Sequence, residues 1–243
     1  MTPETLLILA GALLGGFVNG LSGFGTTLVA LPFWLFAVSP VVAAQLGAAA
    51  SIVGHIQALP SIWPLVRWRA VQPYILAGLI GVPLGTTLLP LMDARLFKLA
   101  VGAILVLFSI FQLAAQDRLR VRSGGRVADA AIGFLGGFFG GLAGISGAFP
   151  TMWASVRGLA KEDKRVLLMT FNGTILSAMI CASALQGLLT WEFGRALLIS
   201  IPASIIGARL GTWAYHRLEA RRYDRIVLAL LLLSGISLLW SNF

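Results

Sequence analysis

Between residues 5 and 66 the chain carries no Asp, Glu, Lys or Arg. Soluble folds of every class place charged side chains on their solvated surface, because Lys, Glu, Arg and Asp are almost never buried unpaired. A charge-free run of 62 residues is long enough instead for three bilayer crossings at about 20 residues each. Composition extends the argument to the whole chain. Its 243 residues are 58% hydrophobic and 11% charged, against about 25% charged in soluble domains. A soluble core of this length lacks the volume to hide so much apolar surface, and disorder requires low hydrophobicity. The chain therefore reads as an all-α polytopic membrane protein. The net charge of +9 does not point to nucleic acid, because the basic residues lie in short loops between apolar runs, where they encode orientation.

Ten apolar segments can be drawn, over residues 5–18, 24–38, 41–59, 71–92, 96–115, 128–142, 145–156, 166–189, 193–215 and 223–240. All are expected to be helical, since a span must satisfy its own backbone hydrogen bonds in lipid. The first, second, sixth and seventh hold 12 to 15 residues, too short at 1.5 Å per residue for a core about 30 Å thick. They either cross with help from their flanks or form re-entrant hairpins. The first segment lacks the basic leader of a cleaved signal peptide and is read as a retained membrane segment. Cys181, the single cysteine, is read as a small buried core residue.

The short segments flank the densest glycine runs, and these runs are related. Residues 15–23, Gly-Gly-Phe-Val-Asn-Gly-Leu-Ser-Gly, match residues 136–144, Gly-Gly-Phe-Phe-Gly-Gly-Leu-Ala-Gly, at six of nine positions. Further along, Gly47 and Ser51 match Gly173 and Ser177, Arg69 matches Arg195, and Gly81, Gly85 and Thr86 match Gly207, Gly211 and Thr212. The pattern predicts two homologous halves, residues 1–115 and 128–243, joined by a cytoplasmic linker at 116–127. Each half has an odd number of segments, whether or not its first two are hairpins, so the halves are expected in inverted orientations. Fourteen of the basic residues fall on one side, from Arg67 to Arg225, and only Arg95, Lys98 and Arg195 on the other. That bias places the linker inside and both termini outside the cell (inner) membrane.

Inverted repeats with glycine-interrupted short helices point to a secondary transporter. A broken helix presents free N–H groups and a positive dipole end, which attract anions. The candidate tips span residues 19–27 and 140–151. They bring Asn19, Ser22, Gly23, Thr26 and Thr27 from the first half, and Gly144, Ser146 and Thr151 from the second. Asn172 and Thr174, and near the corresponding place Gln45 and Ser51, either line a pathway or bond neighbouring helices. His55 and Gln57, near the cytoplasmic end of the third segment, are either functional or interfacial. Arg209 either holds an anion bidentately or snorkels to the cytoplasm. No Asp or Glu lies in the middle of a segment, no Walker A motif occurs, and two histidines give neither a metal-ligand set nor a triad. No cofactor, metal or catalytic residue is expected, and the chain is not read as an enzyme.

The paired glycine motifs 15–25 and 136–147, the paired Gly81/Gly85 and Gly207/Gly211, the two-half layout and the basic linker resemble those of the sulfite exporter TauE/SafE family, over nearly the whole chain. The resemblance implies a cytoplasmic-membrane transporter of small anions, with sulfite and organosulfonates as associated substrates, commonly exported. The expected partners are the lipid bilayer and a small anionic substrate; the oligomeric state is open, a homodimer included. The alternative is a non-transporting membrane subunit acting as an assembly or maturation partner.

Overall fold

A computed structural model describes residues 2–115, 121, 124–215, 217 and 220–240. These form ten α-helices and no strand. The first half holds α1 (Pro3–Ser22), α2 (Thr26–Trp34), α3 (Pro40–Ile62), α4 (Trp68–Leu88) and α5 (Ala94–Ala115). The second holds α6 (Gly125–Ala143), α7 (Ala148–Val156), α8 (Lys161–Leu185), α9 (Trp191–Tyr215) and α10 (Ala220–Trp240). Among the described residues seven helices are long and apolar enough to cross a membrane: α1, α3, α4, α5, α6, α8 and α9. The protein is a multi-pass membrane protein.

Two segment lengths differ from expectation. α1 has 20 residues and α6 has 19, so neither is short; only α2 and α7, at nine residues each, are. Glycine costs helix stability in water, which suggested that the runs ending at Ser22 and Ala143 would break the helices. Here they continue them: Gly15, Gly16, Gly20, Gly136, Gly137 and Gly141 each lie against a neighbouring backbone carbonyl that a Cβ would meet. The linker also shrinks, since α6 begins at Gly125; residues 116–120, 122 and 123 lie outside the described set.

Close helix contacts follow the sequence match. α1 runs parallel to α9, with Gly16 and Gly20 against the Ser204 and Ala208 carbonyls. α6 runs parallel to α4, with Gly137 and Gly141 against the Gly78 and Val82 carbonyls. In return Gly207 and Gly211 meet Leu13, Phe17 and Leu21, while Gly81 and Gly85 meet Phe134, Phe138 and Leu142. Small residues permit this approach, and packing drives helix association where lipid offers no hydrophobic gain. α3 and α8 pack on each other, and both are buried along much of their length.

The outer surface is apolar. Leu76, Ile80 and Leu84 of α4, and Ile206 and Leu210 of α9, are exposed at helical spacing, as lipid contact requires. Trp63 and Trp68 near one pair of helix ends, and Trp191 and Trp240 at others, are exposed too, where amphipathic rings suit the headgroup level. Cys181 is exposed on this surface, which corrects its expected burial: α8 turns that position outward.

Candidate functional site

The polar chemistry of the chain converges where two helix breaks meet. α1 ends at Gly23, whose left-handed φ of 78° costs a residue with a Cβ about 1–2 kcal/mol. Its N–H bonds the Asn19 carbonyl at 2.7 Å. Ser22 Oγ lies 2.7 Å from the Val18 carbonyl and 2.7 Å from that of Phe24, closing the turn. α6 ends the same way at Gly144, with φ 70°. There the Gly144 N–H bonds the Gly140 carbonyl, the 5→1 bond of an αL cap, and the Ile145 N–H bonds the Phe139 carbonyl. Each chain then folds back: α2 lies along α1, with Trp34 Nε1 donating to the Ile8 carbonyl at 3.1 Å, and α7 packs on α6.

The two tips touch. A Cβ on Gly144 would meet Thr27 of the other tip and the Ala44 carbonyl. Both tips sit beside the middles of α3 and α8, and one chain of hydrogen bonds joins them. His55 Nε2 donates to the Gly23 carbonyl at 3.2 Å, and Asn172 Nδ2 donates to the same oxygen at 3.5 Å. Asn172 Oδ1 accepts from Ser146 Oγ at 2.8 Å. Because a carbonyl only accepts, the His55 Nε2 carries a proton. Asn19 Nδ2 fixes the first tip from below by donating to the Ser51 carbonyl at 3.1 Å.

Between the tips lies a cavity of about 10 Å³, room for roughly one water. Thr27, Ser51, His55, Ser146 and Asn172 contribute to its wall, and no Asp, Glu, Lys or Arg does. The first residues of α2 line it, as does Gly147, the N-cap of α7. Neither N-cap has a capping side chain, and first-turn N–H groups have no acceptor within their helix. Four buried polar atoms on or near the tips also have no partner: Asn19 Oδ1, Thr26 Oγ1, Thr27 Oγ1 and His55 Nδ1. Buried polar atoms are rarely orphaned unless water or a ligand completes them. Paired helix N-termini over uncharged donors favour an anion.

The remaining candidates separate from this centre. Thr26 lies behind the first tip against Gly15. Thr151 is buried within α7, its hydroxyl unpartnered. Thr174 donates to the Thr170 carbonyl of its own helix at 2.9 Å. Gln57 is exposed and bonds the Val53 carbonyl at 3.3 Å. Arg209 is exposed and lines a different cavity with Gln57. His55 is the opposite case: it is buried at the tip, not anchored at an interface, since α3 continues to Ile62. Ser51, open between a pathway and a helix contact from sequence, lines the cavity and accepts from Asn19 through its carbonyl. One residue escapes the sequence reading: Arg165 counts there only as a loop charge, though it donates to the Gly20 carbonyl at 3.1 Å.

Comparison with known proteins agrees with this architecture. The family model for the sulfite exporter TauE/SafE matches residues 7–238. A "probable membrane transporter protein" of Xylella fastidiosa (strain Temecula1 / ATCC 700964) is 25% identical over 272 aligned positions, covering 100% of this chain and 98% of its own. No solved structure matches. With a match across nearly its whole length, the chain belongs to the sulfite exporter TauE/SafE family.

Proposed function

We propose that this protein is a secondary transporter of small oxyanions, sulfite or organosulfonates, and that it exports them by alternating access. The halves 1–115 and 128–243 are the moving units, inverted with respect to each other in the inner membrane, with both termini outside. One observation carries the reading: two helix breaks from opposite halves meet tip to tip at mid-helix, around a cavity walled by hydroxyl, amide and N–H groups without a carboxylate. Such a wall binds a negative charge through dipoles alone, so the ion is held but not trapped. A cavity near 10 Å³ is smaller than sulfite, so the tips are closed on each other and one must withdraw to admit the ion.

In this scheme the hydrogen bonds on the Gly23 carbonyl act as a latch. His55 and Asn172 hold the first tip, and Ser146 ties Asn172 to the second. An anion entering the cavity competes for the same donors, which loosens both tips together. Proteoliposomes test this directly. Sulfite or an organosulfonate loaded on one side should move down its gradient, and Thr27→Val, which keeps shape but removes a cavity hydroxyl, should slow it about tenfold, the worth of one hydrogen bond to a charge. Absence of flux for every such anion with the unaltered protein would overturn the reading.

A further inference from the structure

A second cavity, of about 420 Å³, lies between α3, α8 and α9. Gln57 and Ser61 enter it from α3, Arg165 from α8, and Arg209 and Thr212 from α9. It belongs to the basic side of the protein by sequence, since α8 begins beside Lys161 and Lys164 and α9 ends before Arg217. Among the described residues no carboxylate lines it, and the Arg67–Asp163 ion pair belongs to a different cavity. Two guanidinium groups in one cavity without a described acid repel each other and favour a counter-anion.

Arg165 ties this cavity to the first hairpin. Its Nη2 donates to the Gly20 carbonyl at 3.1 Å, and Thr212 Oγ1 donates to the same oxygen at 3.3 Å. Its guanidinium lies 4.1 Å from the Tyr215 ring centroid, which holds the plane by stacking. Its Nε is buried and has no partner. The side chain also packs against Gly23, where a Cβ would come 3.3 Å from Arg165 Cγ. One guanidinium thus reaches both the wall of the large cavity and the last turn of the hairpin.

We propose that Arg165 and Arg209 form a vestibule that captures the oxyanion on the basic side before it reaches the tips, and that Arg165 transmits its occupancy to the first hairpin. The ligand class rests on the reading in the preceding subsection. Arg209 supplies an exposed, adjustable charge, with Gln57 and Ser61 as neutral donors beside it. An anion bound bidentately by Arg165 draws the guanidinium from Gly20, which frees the end of α1 to move. The same chemistry would suit a lipid phosphate, so the test carries an arm for each source.

Sulfite, kept anaerobic, and methanesulfonate are titrated calorimetrically into the purified full chain, and initial flux is measured in phosphatidylcholine vesicles with and without anionic lipid. Arg209→Gln is expected to weaken binding and raise KM about tenfold with Vmax unchanged, as removal of one charged donor does. Arg165→Gln should raise KM and lower Vmax as well, and Arg165→Lys should restore most of the affinity but not Vmax. Arg69→Gln, on the same face outside the cavity, should leave both within about twofold. Equal binding by the wild type and both glutamine variants overturns the vestibule, as does displacement of sulfite by anionic lipid. If Thr27→Val slows flux while neither arginine variant alters KM, the vestibule fails and transport stands. If the arginines govern binding in a protein that moves no anion, transport fails and the vestibule stands.

Discussion

Each short helix carries a tryptophan, Trp34 at the end of α2 and Trp153 in the second turn of α7, and their indole N–H groups find different acceptors. Trp34 donates to a backbone carbonyl, that of Ile8. Trp153 donates to Asp129 Oδ1 at 2.7 Å, and Tyr74 donates its hydroxyl to the same oxygen at 2.6 Å. Asp129 stands in the second turn of α6 and binds that hairpin to α4. A carboxylate accepting two donors in a part-buried site is a strong junction, and its removal orphans both donors. Asp129→Ala should therefore destabilise the protein by about 1–3 kcal/mol. Asp129→Asn retains an acceptor oxygen and should cost less than half of that. Thermal unfolding in detergent, followed by tryptophan fluorescence, separates the two; equal losses would mean that the charge, not the acceptor geometry, holds the junction.

The helices owe their arrangement to glycine, but to two different properties of it. Gly23 and Gly144 are needed for backbone conformation, since both end a helix at positive φ. Gly85 and Gly211 are needed for space: a Cβ on either would collide with a neighbouring carbonyl, of Phe138 and Phe17 respectively. Gly85→Ala and Gly211→Ala should each cost about 1–3 kcal/mol of overpacking and cost alike, because their surroundings correspond atom for atom. Melting temperatures of the two variants check this; a loss at one position only would show that the halves do not bear load equally. This duality also explains what could be read beforehand. Matching motifs exposed the tips, because Gly23 and Gly144 recur in the same frame. Hydropathy ended α1 at Val18 where the helix runs to Ser22, because a glycine that packs and a glycine that breaks a helix look the same in sequence; for α6 it missed only the start, at Gly125. At the site, Asn172, Ser146 and Thr27 were legible as small polar residues in apolar runs. The role of His55 depended on how far α3 continued, and that of Arg165 on a contact between residues 145 positions apart in the chain.

On the scale of the molecule, the two faces differ in charge. A cavity near the start of α1 and α9 is lined by Glu4, Glu192 and Arg195, whereas the cavity between α3, α8 and α9 presents Arg165 and Arg209 with no described acid. An anion is attracted to the second face and released more readily at the first, a polarity that suits outward movement if the basic face is cytoplasmic. Orientation is thus the quantity on which the sense of transport depends, and the lone cysteine makes it measurable. Cys181 is exposed on the apolar outer surface, and Cys181→Ser removes it as a background label. Leu159 lies between α7 and α8, and Thr190 between α8 and α9; both are exposed. In intact cells a membrane-impermeant maleimide should label Thr190→Cys within minutes, and Leu159→Cys only after permeabilisation. The reverse pattern would turn the basic vestibule outward, making it a site of uptake in place of one that loads an exporter.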